Sequence, residues 1–210
     1  MCLAQVVFNR IFAKREYVMK LSRNTTIFCI VLIVTTTLIK IICAPRFELS
    51  GTTGIMAVAL FAGFAGLDKK QAFLLPLVTL LISNIIIEIL YRLNMFPFAG
   101  FYKWQFVEYA LLGLVLTAIG LLFRKLKTAG VFISAIVGPT VFFLISNFIV
   151  WLASRQTIGY TNDFKGVMDC YAAGLPFYRN SVLSTIVLLP AFILAYQWLV
   201  KGKFVLSLAK

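Results

Sequence analysis

Long apolar runs alternate with short polar segments along most of the chain. A helix that crosses a bilayer needs about 20 consecutive, mostly apolar residues, and most of the runs have that length. One run, "IMAVALFAGFAGL", is shorter and becomes long enough only if the preceding "LSGTTG" enters the membrane as a broken or re-entrant start. The pattern predicts six transmembrane helices, the second of them short, over residues 25–43, 55–67, 72–91, 104–123, 129–152 and 181–200.

The composition agrees with a bilayer as the solvent of this chain. Apolar residues make up 61% of its 210 residues and charged residues only 13%, whereas soluble domains carry about 25% charged residues. We therefore expect an all-α membrane protein with one six-helix domain at residues 25–200. A basic arm, residues 1–24, would precede it in the cytoplasm or at the membrane surface, and a cytoplasmic tail, residues 201–210, would follow it.

Within the arm, the segment "VVFNRIFAKREYVMKL" places basic residues between apolar ones. This pattern is typical of a helix that lies on an anionic membrane surface. An extended start of the chain, with Met19 as the natural first residue, explains the segment equally well. Both interpretations stay open.

Basic residues are concentrated in segments that would share one side of the membrane. The arm, the connections after the second and fourth predicted helices, and the tail hold most of the 20 lysines and arginines: Arg10, Lys14, Arg15, Lys20, Arg23, Lys69, Lys70, Arg124, Lys125, Lys127, Lys201, Lys203 and Lys210. The positive-inside rule places these segments in the cytoplasm. We expect a multi-pass membrane protein, in contact with lipid, with both termini cytoplasmic. Nucleic acid is not an expected partner, because the basic residues flank spans rather than form a patch.

The supply of chemically reactive side chains argues against an enzyme. The chain has 4 cysteines, no CxxC motif and no histidine, which leaves no support for a Cys/His metal site and excludes a histidine-dependent nucleophile. We expect no metal and no cofactor. Cys43 and Cys170 both fall on the predicted outer side, where a disulfide can form; the alternative is that each is an ordinary small apolar residue.

Polar residues within the predicted spans fall at one depth, in the outer third of the membrane. Polar groups are costly there and therefore point to function, so an outward-facing pocket is an economical explanation. The candidate substrate-binding residues are Asn84, Glu88, Glu108, Asn147, Trp151, Cys170, Tyr171 and Asn180. Simpler roles are also open: an ion pair of Glu88 with Arg92, a helix-bridging Asn147, and an interfacial anchor at Trp151.

The predicted outer loop, residues 153–180, contains the varied stretch "DCYAAGLPFYRN". Asp163, or Thr161 or Asn162 before it, can cap a short helix in this loop. Gly174 is expected to end that helix, and Pro176 to prevent its restart, so that Asn180 caps the last spanning helix. The loop is then either the roof of the pocket or a cover over helix ends.

Small residues recur at a spacing of four in two predicted helices, which lets backbones approach closely. They either pack the bundle internally or form an interface to a partner subunit. The residues concerned are Ala59 with Gly63, Ala62 with Gly66, and Gly130, Ser134 and Gly138.

Four segments carry a resemblance to a known family: "MAVALFAG", "FLLPLVTLLISN", "SNFIVWL" and "CYAAGLPFYRNSVL". Over residues 45–197 the chain resembles an uncharacterised bacterial inner-membrane family that carries a domain-of-unknown-function label. That family is similar to the substrate-binding S-components of energy-coupling-factor vitamin transporters. The resemblance implies an S-component-like bundle of six helices with a substrate pocket at the outer face.

These observations lead to one leading expectation and one alternative. The leading expectation is an integral membrane substrate-binding protein, either the uptake component for a vitamin-like small molecule or a solitary transporter. The alternative is a non-catalytic accessory subunit of a larger inner-membrane complex, with other membrane proteins as its partners.

Overall fold

A computed structural model describes residues 22–102, 105–154, 159–203 and 206, and this part of the chain is helical, without strands. The helices are α1 (Arg23–Cys43), α2 (Ile55–Phe64), α3 (Lys69–Arg92), α4 (Gln105–Phe123), α5 (Lys127–Ser154) and α6 (Phe164–Lys201). Two 3₁₀ turns lie at Phe47–Leu49 and Arg124–Leu126. The prediction of an interfacial helix in the basic arm falls almost wholly outside the described residues and stays a prediction.

Four helical stretches in the described part are long and apolar enough to cross a membrane: Arg23–Cys43, Lys70–Arg92, Gln105–Ala153 and Phe164–Lys201. The third stretch contains α4 and α5, which a 3₁₀ turn separates and which pack against each other. The predicted count of six spanning helices is not matched. There are two reasons: α4 and α5 form one stretch, and α2 is short. The 10 residues of α2 rise only about 15 Å, half of a bilayer core of about 30 Å.

Helix α2 lies at the centre of the bundle, in contact with α3, α4, α5 and α6. All of its residues except Met56 are buried, which agrees with a sequence that is apolar on every face. Next to it, the rings of Phe28, Phe61 and Tyr196 pack together with centroids 5.3 to 5.5 Å apart. The run that is too short to span is therefore the core around which the longer helices assemble.

Glycines allow α2 and α4 to cross at very short range. A Cβ atom at Gly63 would lie 2.5 Å from the Thr117 carbonyl oxygen and 2.7 Å from the Leu121 nitrogen. Gly120 of α4 faces Gly63 and the Leu60 carbonyl in the same crossing. Only a residue without a side chain fits at such a contact.

The other small residues have varied surroundings. Ala59 and Ser134 are fully buried inside the bundle, and Gly138 faces the side chains of Leu60 and Leu116. Gly130 contacts backbone in the turn between α4 and α5. Gly66 follows the end of α2 with a φ of +69°, and no neighbouring atom lies within 4 Å of the position of its Cβ.

Helix α6 corrects the prediction of a long outer loop with a separate short helix. It starts after Asp163, whose Oδ1 accepts a hydrogen bond of 2.9 Å from the Gly166 nitrogen, so Asp163 is the cap among the three candidates. It then continues through Gly174 and Pro176 for 38 residues. The predicted short helix forms the first turns of α6, and Asn180 lies in its interior instead of capping a new helix.

Contacts with α5 explain why the expected helix stop at Gly174 does not occur. A Cβ at Gly174 would lie 2.5 Å from Asn147 Oδ1, so the glycine is used for close contact between α5 and α6 rather than for a turn. Tyr178, two residues after Pro176, stacks on Phe143 of α5 with ring centroids 4.7 Å apart. Tertiary contacts on both sides of the proline therefore override the local tendency to break.

Candidate functional site

A cavity of about 240 Å³ lies where α1, α3 and α4 meet the segment 93–102 that joins α3 to α4. Part of its wall is apolar, with contributions from Leu80, Ile87, Leu112 and Phe142. The polar side chains on the wall are those of Lys40, Asn84, Tyr102, Gln105, Glu108 and Tyr109.

One line of hydrogen bonds joins three helices across this cavity. Lys40, in the last turn of α1, donates from Nζ to Ser83 Oγ at 3.2 Å and to Asn84 Oδ1. Asn84 in turn donates from Nδ2 to the hydroxyl of Tyr109 on α4. Asn84 is only 3% exposed and Tyr109 only 7%, so the line stabilises the meeting point of α1, α3 and α4 in a place with little access to water.

The segment 93–102 forms a second wall, and its backbone rests directly on α3. A Cβ at Gly100 would lie 2.6 Å from the Glu88 nitrogen, so this position requires glycine. The Gly100 nitrogen donates to Glu88 Oε2 at 3.1 Å, and the Gly100 carbonyl accepts from Gln105 Nε2 at 3.0 Å. Gln105 Oε1 accepts from the Tyr102 nitrogen at 3.2 Å. Glu88 and Gln105 therefore hold this segment in place.

Glu88 has the contacts of a structural residue. Besides Gly100, it pairs with Arg92 Nε at 2.8 Å, so each of its two oxygens has a partner. It lies beside the cavity without lining it. The sequence had offered two roles for Glu88, substrate binding and an ion pair with Arg92, and the structure shows the ion pair.

Glu108 lines the cavity and accepts a hydrogen bond at Oε2 from the hydroxyl of Tyr102. Partial burial, together with the hydrogen bond to Glu108, raises the pKa of Tyr102. Because a raised pKa keeps the hydroxyl protonated, Tyr102 stays the donor in this hydrogen bond.

The remaining predicted site residues belong to other contacts, mostly along the seam between α5 and α6. The thiol of Cys170 donates to the Asn147 carbonyl at 3.5 Å, and the hydroxyl of Tyr171 donates to the Leu144 carbonyl at 2.6 Å. Trp151 Nε1 donates to the Thr161 carbonyl at 3.0 Å.

Asn180 contacts the segment between α1 and α2 instead of α5. Its Nδ2 donates at 2.8 Å both to the Glu48 carbonyl and to the Ser50 carbonyl, which fixes the segment between α1 and α2 against α6. Of the eight predicted substrate-binding residues, the structure brings Asn84 and Glu108 together at the cavity and places the other six elsewhere.

Lys40, Gln105 and Tyr109 are cavity residues that the sequence did not single out as binding residues. A signal existed for Lys40, because in "LIKIIC" the charge has apolar residues on both sides. An ionisable residue in that setting indicates a functional site by default.

Cys29, Cys43 and Cys170 are free thiols in this structure, so the disulfide between Cys43 and Cys170 is not formed. Across the described residues, no group of three metal-ligating side chains of the His, Cys, Asp or Glu type comes together.

Four stretches that are long and apolar enough to span a bilayer, assembled around a buried short helix, define the general class: a multi-helix membrane protein. More specifically, the chain belongs to the DUF6580 family, a family of unknown function whose profile matches residues 20–207. This agrees with the resemblance to a family of unknown function. No curated protein and no solved structure matches the chain, so similarity to the S-components stays a prediction.

Proposed function

We propose that the protein binds a small molecule in the cavity between α1, α3 and α4, as an uptake component or as a solitary transporter of the bacterial inner membrane. The observation that carries the proposal is the convergence on one cavity of polar side chains from three helices, the half-buried Lys40 of α1 and buried residues of α3 and α4. Polar groups inside spanning helices are costly, and proteins retain them mainly along ligand and ion pathways.

The position of the cavity fits uptake from outside. It lies near the end of α1, the second half of α3 and the start of α4, which is the end of the bundle opposite the basic connections at 69–70 and 124–127. If those connections are cytoplasmic, as the positive-inside rule expects, the cavity faces outward. An outward pocket of this kind is also what an S-component-like protein would have.

The size of the cavity limits the ligand. Its volume of about 240 Å³ is below the roughly 300–1,000 Å³ of pockets that hold drug-sized molecules. The proposed ligand is therefore a small metabolite, at or below the small end of the vitamins.

The test is to look for a bound molecule and then to weaken its site. Native mass spectrometry of the protein purified from its own membranes, followed by a thermal-shift screen of small metabolites, should identify a stabilising ligand. Tyr109→Phe removes one hydroxyl from the cavity and should lower the affinity of the protein for that ligand. Tyr171→Phe removes a hydroxyl from the seam of α5 and α6 and should leave the ligand's affinity unchanged.

Two results would count against binding. If no metabolite stabilises the protein, or if both tyrosine variants respond to it alike, the cavity is not the binding site. A stoichiometric protein partner in the native spectrum, without a small molecule, would favour the alternative of an accessory subunit.

A further inference from the structure

Lys40 brings a positive charge to the cavity wall, and the described residues do not neutralise it. The ion pairs within the described part of the chain are Glu88 with Arg92 and Asp169 with Lys165. The partners of the Lys40 ammonium, Ser83 Oγ and Asn84 Oδ1, are both neutral.

The direction of the Lys40 side chain is unusual for a lysine near the end of a spanning helix. Such lysines normally extend toward the membrane surface, where water solvates the ammonium. Here the side chain is partly buried and reaches across to α3. The carbonyl end of α1 favours a positive charge in the last turn, but this effect does not require the side chain to turn inward.

The ammonium also has capacity to spare. A lysine ammonium carries three N–H donors, and the contacts with Ser83 and Asn84 use two of them. Because Lys40 lines the cavity, the third donor is available to a molecule inside it.

We propose that the ligand of this cavity carries an acidic group, a carboxylate or a phosphate, that pairs with Lys40; the inference rests on the proposed binding function. A charge-assisted hydrogen bond of this kind is about twice as strong as a neutral one. Glu108 on the same wall repels a second acidic group and accepts a hydrogen bond from a donor. The ligand class is therefore a small molecule with one acidic group and a donor group at another position.

The experiment compares acetate with acetamide, a neutral molecule of nearly the same shape, as small probes of the Lys40 site. Thermal unfolding of the detergent-solubilised protein is followed with each probe. Lys40→Gln removes the charge and keeps an N–H donor, whereas Lys40→Arg keeps the charge. Lys165→Gln removes a charge from the start of α6, away from the cavity, and is the matched control.

Acetate should stabilise the wild type, Lys40→Arg and Lys165→Gln more than acetamide does. In Lys40→Gln the affinity for acetate should fall roughly tenfold or more, as expected when one partner of a buried charge pair is lost. The readout is the difference between two probes on the same variant, so a lower basal stability of Lys40→Gln does not affect it.

An equal acetate effect in the wild type and in Lys40→Gln, or no acetate effect at all in detergent and in lipid, would overturn the inference. Phosphatidylglycerol and phosphatidylcholine nanodiscs separate the two sources of the acid. Stabilisation by phosphatidylglycerol that is lost in Lys40→Gln would identify a lipid phosphate rather than a soluble acid. If a neutral metabolite binds and depends on Tyr109, the proposed function stands and only the charge inference fails.

Discussion

Gly63→Ala tests whether the small residues of α2 pack the bundle from inside. The new Cβ would lie 2.5 Å from the Thr117 carbonyl oxygen, 2.7 Å from the Leu121 nitrogen and 2.8 Å from the Gly120 carbonyl carbon. All three atoms are backbone, so no rotamer change can relieve the contact. Real Cβ contacts are essentially never shorter than 3.0 Å, so α2 and α4 must separate by about 0.5 Å.

The expected loss of stability is the difference between two effects. Overpacking of a tight core costs about 1–3 kcal/mol, and the upper end applies where backbone must move. Gly63 is the second-last residue of α2, and replacing a helical glycine with alanine recovers at most about 1 kcal/mol of helix propensity. We therefore expect Gly63→Ala to reduce the free energy of unfolding by about 2 kcal/mol.

The matched control is Gly138→Ala, because Gly138 also lies inside an apolar helix. The nearest atoms to its Cβ are side-chain methyls of Leu116 and Leu60, at 3.1 and 3.2 Å, and these can move. Its stability should therefore change little or rise. Equilibrium unfolding in detergent would measure both variants. If Gly63→Ala is as stable as the wild type but loses a bound partner protein, Gly63 faces that partner and the internal contact described here is wrong.

Three further predictions concern other parts of the molecule. Thr36→Val should raise the free energy of unfolding by about 1 kcal/mol, measured by the same unfolding assay, because the buried Thr36 hydroxyl has no hydrogen-bond partner within the described residues; a loss of stability would show that the hydroxyl is used. The hydrogen bonds from Thr161 and from the Gly166 nitrogen hold the pKa of Asp163 below its usual range, so its stabilising effect is complete above the unfolded pKa of an aspartate and is lost as pH falls through the folded pKa. Asp163→Ala should accordingly lower the melting temperature at neutral pH but not at pH values below that folded pKa, and equal effects at both would refute the capping role. Asn162→Cys, in a chain whose 4 native cysteines are replaced, should react with a membrane-impermeant thiol reagent in intact cells; reaction only after lysis would reverse the orientation.

The sequence predicted the bounds of most helices well because each apolar run ends at charged or turn-forming residues. The runs at 25–43, 104–123 and 129–152 lie within one or two residues of α1, α4 and α5. The helix α6 begins at Phe164. The predicted start of the last helix, at residue 181, was wrong because Gly174 and Pro176 are local signals for the end of a helix. Their actual surroundings are contacts with α5, through Asn147 and Phe143, and nothing in the local sequence reveals such contacts.

The candidate site was only partly predictable, for a geometric reason. The charged ends and the length of an apolar run predict how deep each of its residues lies in the membrane. Asn84, Glu108 and Asn147 were grouped because their predicted depths agree. The direction a residue faces changes by about 100° with each step along a helix, so depth does not say which seam it enters. Asn84 and Glu108 reach the cavity, whereas Asn147 faces α6.

The side chains around the cavity fall into neutral groups that build its walls and two groups that carry charge. Both ends of the Gln105 amide are engaged by the segment 93–102, and both ends of the Asn84 amide are engaged by Lys40 and Tyr109. These bonds fix the orientation of both amides, which are neutral parts of the wall although each keeps one N–H donor. Lys40 keeps one N–H donor, and Glu108 keeps acceptor capacity beyond the bond from Tyr102. Selectivity would therefore come from a cation on α1 and an anion on α4, rather than from the larger set of polar residues at the same depth.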